Sequence, residues 1–96
     1  MTQTGRILAL HPDPKKQGVR IDRQKYEAIK AAILAAIAAA RELPFSRLAD
    51  AVEARLTTPF DGSISWYTTT VKLDLEARGL IERVPGKQPQ HLRLAS

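Results

Sequence analysis

Cysteine is absent from the chain, and aromatic residues are few: one tryptophan, two tyrosines and two phenylalanines. Without cysteine there are no disulfides and no thiolate metal sites, which fits a reducing compartment. No apolar run approaches the ~18 residues that a membrane span needs. The first residues, Met1-Thr2-Gln3-Thr4-Gly5-Arg6, have no apolar stretch of the kind found in a secretion signal, so a cytoplasmic location is expected. The glycines stand at 5, 18, 62, 79 and 86, too scattered for a phosphate-cradling loop. His11 and His91 are isolated, and no paired-carboxylate motif or nucleophile–base–orienter set is visible. The sequence therefore points away from an enzyme, a metal, a cofactor, a small-molecule ligand and a membrane.

What is present is an ordinary globular composition, 44% hydrophobic and 26% charged over 96 residues, enough for one domain spanning 1–96. The net charge is +5. Residues 1–30 hold seven Lys/Arg against three acids, residues 31–78 five against six, and residues 79–96 three against one. The excess thus sits at the two ends. Such a balance attracts polyanions over long range, although basic composition also serves solubility alone.

Arg6 to Leu10 and Val19 to Ile21 read as short strands around a loop broken by Pro12, Pro14 and Gly18, giving an N-terminal strand segment over 6–21. Asp22 is a suitable N-cap. After it Tyr26, Ile29, Ile33, Ile37 and Ala40 recur at helical spacing, predicting a helix over about 22–41. Leu34 projects off that face and is a candidate interface residue. Pro44 closes the connection. Ser46 is a candidate cap for a second helix, about 46–56, with Leu48, Val52 and Leu56 on one side.

A third helix is predicted over about 63–78, ending where Gly79 supplies a left-handed residue. It carries two apolar stripes. Ile64, Tyr67, Val71 and Leu75 make the core stripe. Trp66, Thr70, Leu73 and Ala77 lie nearly opposite. The second stripe needs a cover, which is the wing, the N-terminal segment or another chain; in the last case Trp66 and Leu73 are the seam of a homodimer. Between the stripes Ser65, Thr68, Thr69 and Lys72 form a polar strip able to donate to phosphates or base edges. Glu76 shares that strip. The last segment, 80–94, reads as a hairpin. Its turn gathers Arg83, Lys87, Gln88, Gln90 and Arg93, residues suited to backbone phosphates or a minor groove.

The run Val71-Lys72-Leu73-Asp74-Leu75-Glu76-Ala77-Arg78-Gly79-Leu80-Ile81 resembles the helix–glycine–hydrophobic junction of winged helix-turn-helix regulators. The helix start Lys25-Tyr26-Glu27-Ala28 and the pair Trp66-Tyr67 ahead of Leu73-Asp74-Leu75-Glu76-Ala77 resemble a small bacterial family of winged-helix-like proteins with no established activity. The resemblance implies a mainly α fold with a small β wing: three helices, a C-terminal hairpin and a short N-terminal strand. It also implies DNA as partner, with the third helix (Ser65, Thr68, Thr69, Lys72) at the major groove and the wing (Arg83, Lys87, Gln88, Gln90, Arg93) on phosphates, in a small regulator or accessory factor. The competing expectation is a protein-interaction module that dimerises through Leu34, Trp66 and Leu73. An exposed Trp66 favours that competitor; a Trp66 buried within one chain favours DNA.

Overall fold

A computed structural model describes residues 5–95. Strands β1 (Arg6–Ala9) and β2 (Val19–Asp22) form an antiparallel hairpin in which Arg6 faces Asp22 and Ala9 faces Val19. The hairpin closes tightly where Gly18 crosses β1: a Cβ there would lie 2.2 Å from the Ala9 carbonyl oxygen, so only glycine fits.

Asp22 caps the next helix as expected, accepting the Lys25 N–H at 3.0 Å. Helix α1 (Arg23–Ala40) buries Tyr26, Ile29, Ile33 and Ile37, with Ala32 and Ala36 filling the turns between them. Ala40 continues the predicted stripe but is exposed, because the helix stops there: Arg41 turns out of it at φ 68°. Strand β3 (Glu42–Pro44) follows, where the sequence suggested only a connection. A proline is tolerated in it because β3 is the edge of a sheet ordered β3–β5–β4.

Phe45–Arg47 form one 3-10 turn, and helix α2 (Leu48–Arg55) buries Leu48 and Val52. Ser46 lies inside that turn and does not cap α2; the N-cap position is Arg47, with no side-chain hydrogen bond. Helix α3 (Ile64–Ala77) starts at Ser63, whose hydroxyl accepts the Trp66 N–H at 3.1 Å. It ends in a Schellman arrangement: Leu80 N–H reaches Leu75 O at 2.9 Å, Gly79 N–H reaches Glu76 O at 3.1 Å, and Gly79 has φ 76°. Strands β4 (Ile81–Arg83) and β5 (His91–Leu94) make the C-terminal hairpin, and β5 pairs on its other side with β3.

The fold is thus α+β, with three α-helices and two small antiparallel sheets among the described residues. Its core joins Ile29, Ile33, Ile37, Leu48, Val52, Val71, Leu75, Ile81 and Leu92, all essentially inaccessible. Leu34 packs against the edge of this core and is half-buried. No helix among the described residues is long and apolar enough to cross a membrane.

Candidate contact surface on the third helix

Helix α3 lies against α1, α2, β1 and β4, and that placement redistributes its faces. Val71 and Leu75 of the core stripe are buried, while Ile64 and Tyr67 are half-buried at its N-terminal end. The expected polar strip does not survive as a surface. Thr68 and Lys72 are 1% and 2% exposed. The reason is packing on the other side of the strip: Lys72 Nζ sits 4.8 Å from the centre of the Phe45 ring and 3.0 Å from Glu76 Oε1. Glu76 in turn accepts the Arg83 Nε–H at 2.8 Å. Burial lowers the Lys72 pKa from its ordinary value, and the Glu76 carboxylate opposes that shift. Of the four strip residues only Ser65 and Thr69 reach solvent.

Trp66 does reach solvent, at 47% exposure. Its ring stands edge-on to Tyr67, which stands edge-on to Phe60. Lys25 Nζ lies 5.5 Å from the Tyr67 ring centre and 5.9 Å from that of Phe60. The second stripe is therefore only partly covered. The N-terminal hairpin loop reaches Thr70 and Leu73, and together they line a cleft of about 160 Å³ with Leu10, His11, Gln17 and Val19. The outward face of α3 is left with Ser65, Trp66, Thr69 and part of Leu73. None of these is charged.

Arg83, Lys87, Gln88 and Gln90 line one shallow concavity of about 320 Å³ in the C-terminal hairpin. Its cations have carboxylate neighbours. Arg83 is held by Glu76, and Lys87 Nζ is 2.9 Å from Glu42, which lowers the Glu42 pKa. Arg93 lies apart from the concavity, paired with Glu82. Gln90 is half-buried, and its backbone carbonyl accepts the Phe45 N–H at 2.9 Å.

The residue that sequence reasoning missed is Asp74. It is fully buried. Its carboxylate accepts the Tyr26 hydroxyl, the Leu10 N–H at 2.8 Å and the Arg78 Nε–H at 2.8 Å. Arg78 also donates from its Nη2 to the Leu8 carbonyl at 3.1 Å. One carboxylate thereby ties α1, α3 and the N-terminal hairpin together. Desolvation, reinforced by Asp74, pushes the Tyr26 pKa up to about 12 from 10.0. A raised tyrosine pKa contributes stability that is complete below pH 10 and lost as pH rises towards 12. The two units correspond to about 2–3 kcal/mol. Urea titrations of wild type and Tyr26→Phe between these pH values should show the wild type losing more stability than the variant as pH rises; parallel curves would contradict the raised Tyr26 pKa.

The sequence from residue 6 to residue 92 matches a family of unknown function, DUF6958. The chain belongs to this family. No curated protein and no solved structure matches the chain. The matched span runs from β1 through α3 into β5, and so includes Tyr26, Asp74, Arg78 and the whole outward face of α3.

Proposed function

We propose that this DUF6958 chain is a winged-helix module that makes its principal contact with another protein through the outward face of α3. The element order supports the winged-helix reading: helix, strand, two helices and a hairpin, with the first of these strands paired on the last. One observation carries the preference for protein over DNA. The face that such a module would lay in a groove presents Ser65, Trp66, Thr69 and Leu73, while Lys72 is turned inward onto Phe45 and Glu76. Interface cores favour tryptophan and are depleted in charge, whereas DNA contact needs cations at the phosphates.

DNA binding is the second reading, favoured by the net charge of +5 and by Arg83, Lys87 and Arg93 on the wing. Their ion pairs do not forbid it, because exposed pairs are worth only about 0.2–1 kcal/mol and can be exchanged for phosphate. In that reading Ser65 and Thr69 approach bases, and Gln88 and Gln90 assist the wing. Anisotropy of a labelled duplex, followed over a range of salt, separates the two. The protein-contact reading expects weak binding with the same salt slope in wild type and in the Lys87→Ala/Arg93→Ala double variant. A slope reduced by roughly 2 in the double variant, with lost affinity, would establish the wing as a phosphate clamp.

A further inference from the structure

We propose that the partner on this face is a second copy of the same chain, set antiparallel so that Trp66 of each copy enters the cleft beside Leu73 of the other. The inference rests on the reading of α3 as a protein-contact surface. Two separate features of the surface meet in it. The first is a knob: Trp66 stands out at 47% exposure, although it is the largest apolar side chain available. The second is a hole on the same stripe. Thr70 and Leu73 form one wall of the cleft of about 160 Å³, and Leu10, His11 and Val19 of the N-terminal hairpin form the other. That volume is close to the ~150 Å³ of an enclosed cavity that holds a benzene ring, so the open cleft takes the six-membered edge of the indole.

Knob and hole are separated by two helical turns, from Trp66 to Leu73, or about 10 Å along the axis. A two-fold axis between Thr69 and Thr70 brings each knob onto the other copy's hole. A closed pair of this kind needs a patch that is complementary to itself. The small side chains of Thr69 and Thr70 at the centre let two helices approach.

Charge decides for a second copy over an acidic partner. Each chain carries +5, so two copies repel wherever their cations meet. The outward face of α3 is a neutral window, because Lys72 is buried against Glu76. An acidic ligand would find no counter-charge there. The helix has 14 residues, so the contact is about 21 Å long. That is at the small end for a stable complex, and the dimer is correspondingly weak and concentration-dependent.

Sedimentation equilibrium from about 10 µM to about 1 mM, with Trp66 fluorescence read on the same samples, tests this. The expected mass climbs towards twice the 10.6 kDa of one chain as the emission moves to shorter wavelength. Trp66→Ala should remain monomeric. Thr69→Arg, an exposed change outside the core, should weaken association at least about tenfold by placing like charges across the axis. Thr69→Glu alone should do the same, and mixing the two should restore a dimer. A wild type monomeric throughout, or a dimer indifferent to Trp66→Ala, overturns the inference. If the chain is monomeric and α3 amides move on adding a DNA duplex, the protein-contact reading falls with it; if they stay still, only the second copy as partner is excluded.

Discussion

Replacing Asp74 with alanine is expected to destabilise the protein by about 2–5 kcal/mol, since each buried donor left without an acceptor costs about 1–3 kcal/mol. The change strands two buried donors, the Tyr26 hydroxyl and the Leu10 N–H, while the Arg78 guanidinium keeps its Leu8 carbonyl and solvent. Domains of this size have only about 5–15 kcal/mol in total. The melting temperature should therefore fall by more than about 10 °C. Asp74→Asn should cost less, since it keeps an acceptor for the Leu10 N–H but sets an amide against Arg78. Amide exchange should quicken first in β1 and β2, because the carboxylate holds the hairpin to the helices. A loss under about 1 kcal/mol in Asp74→Ala would show that the hairpin is held by its apolar contacts instead.

The second large effect concerns Glu76. Glu76→Ala leaves Lys72 charged and buried with no carboxylate, and about 2–5 kcal/mol of stability should go. The double variant Lys72→Met/Glu76→Ala should recover most of it, because methionine fills the space over Phe45 without a charge to solvate. The pH dependence has a definite sign. Burial already holds the Lys72 pKa below its ordinary 10.5, and loss of Glu76 removes the opposing attraction. Between the folded pKa and 10.5 the unfolded chain binds more protons, so the stability of Glu76→Ala should rise with pH through that window. Chemical denaturation at several alkaline pH values measures it. A single variant as stable as wild type would mean that Lys72 reaches solvent.

Much of the scaffold is legible in the residues themselves. Asp22 caps α1, the Tyr26–Ile29–Ile33–Ile37 stripe faces the core, and Gly79 ends α3 in a left-handed turn. These are local rules, in which side chain and backbone lie within a turn of each other. Strand β3 escapes such rules. It is three residues long, contains a proline, and exists because β5 pairs with it from nearly fifty residues away.

The contact surface escapes them for a related reason. Periodicity counts a lysine as polar, but its four-carbon stem can lie along apolar surface while the ammonium finds a carboxylate. Lys72 does this because Phe45 and Glu76 are both in reach. The same counting treats Asp74 as one more acid on α3. The Tyr26 hydroxyl and the Leu10 N–H that it binds come from distant parts of the chain. Trp66 is legible as a question, and its exposure on the assembled fold is the observation on which the protein-contact proposal rests.

The most direct test of the account is a titration of ¹⁵N-labelled protein with a mixed-sequence DNA duplex at low salt, following each backbone amide. The account expects the amides of residues 64–73 to stay in place, with any weak shifts lying at basic residues elsewhere and vanishing at physiological salt. Shifts concentrated at 64–73 and 83–93 and persisting at physiological salt would contradict it, and would make α3 and the C-terminal hairpin a DNA-binding surface.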